Sequence, residues 1–303
     1  MALPIYASPL ERIWYWTYRT ICVLVFIFLI APILVIIPLS FNAEPFFTFT
    51  ERMMRLDPAG FSLRWYDNLL TFGMSNPSAP RDAAWWADVW NNAAWVRAAK
   101  NSVIIGFFAT ILATTLGTLA ALGLARSEMP WRKAIMAVLI SPMIVPIIIT
   151  ATGLFFFYSA TGLAGTYVGV ILAHATLGIP FVIITVTATL AGFDQSLLRA
   201  AASLGAGPVR TFFRVQMPLI LPGVISGALF AFVTSFDEVV VVLFVAAHDQ
   251  QTIPRQMWNG IREQISPSIL AVATILVVVS IALLTTVELL RRRSERLRGL
   301  SPG

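Results

Sequence analysis

Two adjacent carboxylates, Asp237 and Glu238, stand inside an apolar stretch covering residues 219–247. An ionised carboxylate in hydrocarbon costs about 2.5–3.5 kcal/mol even on lenient insertion scales. The pair must therefore meet a cavity, a partner or neighbouring backbone. Acids so placed supply counter-charge to a cation, relay protons, or accept structural hydrogen bonds. Neighbours on a helix diverge by about 100°, so at most one of the two lines a common pathway. Ser235 and Phe236 directly precede them and complete the candidate pathway segment.

Other chemistry is sparse. His174 lies within an apolar run and reads as a packing or backbone-bonded histidine, while His248 stands beside Asp249. Cys22 is the only cysteine, so no intrachain disulfide forms, and two scattered histidines make no metal site. No nucleophile–base–orienter set can be assembled, which leaves an intramembrane enzyme without machinery. A Gly-x-x-x-x-Gly-Lys-Ser/Thr phosphate loop is also missing from the sequence. Any energy for work must come from another chain or from an ion gradient.

The elements around these residues follow from composition. Of 303 residues, 58% are hydrophobic and 12% charged, and the mean hydropathy is +0.80. A soluble domain of this size carries about twice that share of charge. Six stretches contain the roughly 20 apolar residues a membrane-crossing helix needs: 19–41, 103–125, 134–158, 167–191, 219–247 and 269–290. They are apolar all round rather than alternating, which argues for helices over a β-barrel. The expected organisation is an N-terminal segment 1–18, a first span 19–41, an outer loop 42–101, a core 102–290 with five spans, and a basic tail 291–303. The first span is too long for a signal-peptide core and is expected to stay as an anchor.

Six spans put both termini on one side, with the loops after spans two and four. That side holds Arg12 and Arg19; Arg126, Arg132 and Lys133; Arg199, Arg210 and Arg214; and Arg291, Arg292, Arg293, Arg296 and Arg298. The opposite loops carry as many acids as bases. Such an asymmetry places both termini in the cytoplasm. It also accounts for a pI near 10 through anionic lipid rather than nucleic acid. The long outer loop holds Trp65, Trp85, Trp86, Trp90 and Trp95, and Asp82 is suited to cap a helix there. Tryptophan prefers the headgroup layer, so this segment reads as an interfacial helix or an aromatic docking surface.

The inner loop 194–218 reads as two short helices. The first, about 195–204, contains Leu198, Arg199, Ala200, Ala201, Ala202, Ser203 and Leu204, and stops at Gly205. Ala206 and Gly207 form the turn, and Pro208 opens a second, basic helix with Arg210. Alanine lets backbones approach closely, so the first helix can sit in a groove of another protein; a plain amphipathic loop on the inner leaflet is the other reading.

At these residues the sequence resembles the inner-membrane permease subunits of bacterial binding-protein-dependent ABC importers. Their signature, Glu-Ala-Ala, three residues, Gly, nine residues, then Ile-x-Leu-Pro, corresponds to Arg199-Ala200-Ala201, Gly205 and Val215-Gln216-Met217-Pro218. Arg199 stands where that pattern has glutamate. Phe61-Ser-Leu-Arg-Trp-Tyr66 resembles the Phe-Ser-x-x-Trp-Tyr segment common in these permeases. The stretch from Ser235 to Val241 and that from Ile265 to Leu276 resemble the spermidine/putrescine branch, second-permease type. The insert around 74–95 lies outside the resemblance. The resemblance implies an all-α membrane protein with six transmembrane helices of the type I ABC importer permease fold and a cytoplasmic coupling helix. It implies a second permease as heterodimer partner, two ATP-binding subunits that hold ATP and magnesium, and a periplasmic binding protein. It implies no cofactor in this chain, and a polyamine-like cargo. A six-span carrier driven by a proton gradient through Asp237 or Glu238 is the alternative, and a scaffold for a membrane complex is a third.

Overall fold

The computed structural model describes residues 8–126, 128–263 and 266–297. The chain runs through α1 (Pro9–Leu39), α2 (Glu51–Met54), α3 (Arg64–Thr71), α4 (Ala83–Asn92) and α5 (Ala94–Leu124). It continues through α6 (Arg132–Ile144), α7 (Ile147–Thr161), α8 (Tyr167–Ala191), α9 (Ser196–Ser203) and α10 (Pro208–Thr211). It ends with α11 (Met217–Phe236), α12 (Val240–Val245), α13 (Ile253–Glu263) and α14 (Ser268–Leu297). Residues 1–72 with 260–303 form one compact unit, and residues 73–259 form the other.

In the first unit α1 begins with a reciprocal cap. Ser8 Oγ accepts the Glu11 N–H while the Glu11 carboxylate accepts the Ser8 N–H, and Pro9 fills the first helical position. The helix therefore starts at Pro9 rather than near residue 19, so residues 9–18 of the expected N-terminal segment are helical. Arg19 places its guanidinium over the rings of Tyr15 and Trp16. The Phe61–Tyr66 segment ties down the turn after α1: Phe61 pairs with the buried Asn42, Trp65 Nε1 donates to the Asn42 carbonyl at 2.7 Å, and Tyr66 meets Ser40 Oγ at 2.7 Å. Ser268 at the start of α14 donates to Asn68 Oδ1 of α3. The side chains of Arg291, Arg292, Arg293 and Arg296, and all of Arg298, lie outside the described residues.

In the second unit α5, α8 and α11 pack against one another along small residues. A Cβ on Gly178 of α8 would sit 2.9 Å from the Ala231 Cβ and 3.2 Å from the Ala113 Cβ, so only glycine lets three backbones converge there. Ala109, Ala113, Ala121, Val182, Val186 and Ile220 form one core layer. Ile105, Tyr158, Val170, Leu177, Val241 and Val242 form the other.

Four helices among the described residues are long and apolar enough to cross a membrane, and a bent pair adds a fifth if the two cross as one span. That pair corrects the straight span expected over 134–158. Val145 and Pro146 separate α6 from α7, which meet at 100°. Proline lacks the N–H and disfavours helical backbone in the residue before it. The span expected over 219–247 also breaks: the continuous helix ends at Phe236, and α12 resumes for six residues only. Within the final stretch, the apolar helix described covers Ser268–Ala282.

Around the outer-loop tryptophans, Asp82 caps α4 by accepting the Trp85 N–H at 2.8 Å. Trp85 and Val89 are buried, whereas Trp86 and Trp90 are exposed, and the Lys100 ammonium lies over the Trp90 ring. Trp95, expected with the interfacial set, is instead buried at the start of α5.

Candidate functional site

The loop 194–218 is built as the sequence reading expects for its first helix. Asp194 Oδ1 accepts the Ser196 N–H at 2.8 Å and so starts α9; this bonding to Ser196 holds the Asp194 carboxyl below its ordinary range. Gly205 ends it with φ at +81°, a conformation glycine adopts without strain, and Ala206 N–H bonds back to the Ala201 carbonyl. Ala200, Ala202, Ser203, Gly205, Gly207, Pro208 and Arg210 are exposed, Leu198 and Ala206 are half-buried, and only Ala201 turns inward to become buried. Leu204 is 89% exposed at the tip, a large apolar side chain left uncovered by the described residues.

The second helix of the loop differs from expectation. Pro208–Thr211 is α-helical, and Phe212–Gln216 widens into a π-helix that runs without interruption into α11. The widening falls just before Pro218, which has no N–H to return to residue 214. Beside the loop is a groove of about 1140 Å³, lined among others by Leu122, Arg126, Gln195, Leu198, Arg199 and Phe212.

The candidate pathway segment sits at the far end of α11. Ser235 is buried, and its Oγ lies 2.8 Å from His174 Nδ1 of α8. Phe236 is half-buried and stacks on Phe232 with ring centroids 5.6 Å apart. Asp237 is exposed, and its N–H closes the last turn on the Val233 carbonyl. Glu238 is only 8% exposed, and its Oε1 accepts the Val241 N–H at 2.9 Å. The two adjacent acids thus occupy different surroundings, one open and one turned back on the chain.

Three features of this region have no counterpart in the sequence reading. Arg255 of α13 donates from Nη1 to the carbonyls of Val242 at 2.7 Å and Ala246 at 2.9 Å. Asn101 Nδ2 donates to the carbonyls of Asp249 and Gln251, and Tyr167 donates to Asn101 Oδ1. Ser102 Oγ accepts the Ile253 N–H at 2.8 Å. These contacts bridge residues up to 151 positions apart, so no local motif announces them. His248, which stands beside Asp249 in the sequence, is exposed and meets Arg97 at 3.0 Å. No group of three metal-ligating side chains occurs among the described residues.

A bundle of apolar helices with a bent pair among them describes a multi-pass membrane protein. Residues 113–296 match the family described as binding-protein-dependent transport system inner membrane component, and the chain belongs to it. It is 32% identical over 271 residues to the spermidine/putrescine transport system permease protein PotC of Haemophilus influenzae, covering 89% of this chain and 95% of that protein. It is 30% identical over 281 residues to the putrescine transport system permease protein PotI of Escherichia coli, covering 90% and 88% respectively. Its fold is similar to that of a chain in the crystal structure of a bacterial ABC transporter involved in alginate import. The TM-score there is 0.66 at 15% identity, over 96% of this chain and 99% of that one. The chain is accordingly a multi-pass inner-membrane transport subunit that works with partner subunits, and the gradient-driven carrier is set aside.

Proposed function

We propose that this chain forms half of the translocation pathway of an ATP-driven importer for polyamines or a similar small organic cation. A second permease subunit completes the pathway, and a periplasmic binding protein delivers cargo. Two cytoplasmic subunits bind ATP and magnesium, take up the tip of α9, and leave this chain without a cofactor or a catalytic role of its own. Both termini and the loop 194–218 face the cytoplasm. The observation that carries the cation reading is Asp237, an exposed carboxylate at the end of a membrane helix with no hydrogen-bond or ion-pair partner among the described residues. An acid so placed offers counter-charge to an ammonium group. The names of the relatives, which transport spermidine and putrescine, agree with that charge.

The mechanism follows from the continuity of the backbone. Closure of the ATP-binding subunits displaces α9 and the turn at Gly205. Because Pro208–Phe236 is one uninterrupted helical element, that displacement reaches the end of α11, where Asp237 stands. The stretch beyond it is stapled to α5 and α8 through Asn101, Ser102 and Tyr167. The break at residues 237–239 is therefore where α11, packed on α5 and α8 through small residues, meets a stretch hydrogen-bonded to the same two helices.

The test is copurification of the tagged chain from its native membrane, followed by reconstitution with ATP inside the vesicles and the binding protein outside. Uptake of radiolabelled putrescine or spermidine is expected to require ATP and to survive a proton ionophore. Recovery of the chain alone, or uptake that collapses with the gradient while ATP persists, overturns the reading.

A further inference from the structure

The geometry points to Glu238 and Arg255 as positioning residues that cap the two ends of α12 and leave Asp237 as the one carboxylate of the pair available to cargo. This inference rests on the pathway reading of the segment, which it deepens.

Its first support is the predicament of a six-residue helix in an apolar layer. A helix leaves its first N–H and last C=O groups without partners, and in α12 those groups make up most of the backbone. Water is not at hand to satisfy them, because Val241 and Val242 are fully buried and Val245 nearly so. Peptide groups in such surroundings require a partner from the protein.

Each end finds one. At the start, Glu238 Oε1 accepts the Val241 N–H at 2.9 Å. At the finish, Arg255 Nη1 bridges the carbonyls of Val242 and Ala246, and Gly165 N–H donates to the Val245 carbonyl at 2.8 Å. The signs are also those a helix dipole favours, an acid at the N-terminus and a cation at the C-terminus. Glu238 is thus engaged by a backbone donor, while Asp237, one residue earlier, is exposed. The backbone of residues 237–239 is pinned between the last turn of α11 and the Glu238 cap, which fixes where the Asp237 carboxylate points.

The distinguishing property is that a cap needs an acceptor oxygen and a cargo ligand needs a charge. Glu238→Gln keeps the acceptor and loses the charge; Glu238→Ala loses both. Cys22 is the sole cysteine, so Cys22→Ser followed by Asp237→Cys gives one thiol at the position in question. In the assembled complex, its labelling rate by a cationic, membrane-impermeant methanethiosulfonate reagent reports the placement of residue 237 without using any cargo. Glu238→Ala and Arg255→Met should each change that rate about fivefold, the size of one lost helix cap. Glu238→Gln should leave it within about twofold, since the hydrogen bond persists. In the Asp237 background, half-saturation for putrescine uptake should hold for Glu238→Gln and rise for Asp237→Asn. A Glu238→Gln variant as impaired as Asp237→Asn, or a labelling rate indifferent to Glu238→Ala, overturns the inference. Because labelling needs no substrate, wild-type failure to carry putrescine would count against the proposed cargo alone.

Discussion

Ser235 and His174 join α11 to α8 through a single buried hydrogen bond, 2.8 Å long, between a hydroxyl and an imidazole. The second ring nitrogen, Nε2, is buried without a partner among the described residues, so this bond is what reconciles the histidine with an apolar interior. Ser235→Ala should leave the whole ring unsatisfied and cost about 1–3 kcal/mol. The same change in a His174→Ala background should cost much less, because the orphan is gone. Thermal unfolding of the four variants in detergent closes this cycle, and equal losses in both backgrounds would mean that the bond contributes nothing. The sequence carried part of this region. Adjacency alone required Asp237 and Glu238 to diverge, and they do, one exposed and one buried. That Glu238 folds back onto N–H groups was not legible, because the run Val239–Val245 gives no sign of where a helix restarts. The partnership of His174 with Ser235 spans 61 residues, and that of Arg255 with Val242 crosses a loop, so both depend on packing rather than spacing.

The loop helix α9 was legible because its signals are local: Asp194 starts it, alanine and leucine fill it, and Gly205 stops it. Local signals did not say which face the helix presents. Ala201 is buried against its own chain, whereas Leu204 stands bare beyond the last turn. The two positions should therefore fail in different ways. Leu204→Asp should leave the complex assembled and folded, yet reduce the uptake obtained per ATP hydrolysed, because it alters only the surface proposed to meet the ATP-binding subunits. Ala201→Asp should instead lower recovery of the folded chain, since it forces an unpaired charge into a buried position. Parallel measurement of ATP hydrolysis, uptake and melting temperature separates these outcomes; intact coupling in Leu204→Asp would remove α9 from the contact. The two broken spans teach the complementary lesson. The apolar length of 134–158 and 219–247 was readable, but apolarity has no direction, and neither Pro146 nor the Asp237–Glu238 pair reveals by itself whether a helix kinks or stops.

At the scale of the whole molecule, charge rather than packing decides which way the chain threads the membrane. The basic residues gather at the N-terminal segment, in the loops around Arg126 and Arg199, and in the tail from Arg291, while the intervening loops balance acid against base. Short loops rich in Lys and Arg resist translocation, and long loops cross largely regardless of charge. The stretch 42–101 is long and charge-balanced, so its translocation is compatible with retention of every basic cluster on the inner side. The breaks within the third and fifth spans do not alter this assignment as long as each broken span crosses once. An odd number of crossings between residue 9 and residue 291 would separate two basic ends that the same rule holds together. A green fluorescent protein fused after residue 297 should consequently fluoresce, and alkaline phosphatase inserted at Ser78 should be active, since the first folds in the cytoplasm and the second requires the periplasm. Phosphatase inserted at Gly205 should be inactive, which places α9 on the side where ATP is hydrolysed. If the fusion after residue 297 were dark and the phosphatase at the same position active, one of the two broken spans would have to be re-entrant, and α9 would keep its orientation only if that span lay after it.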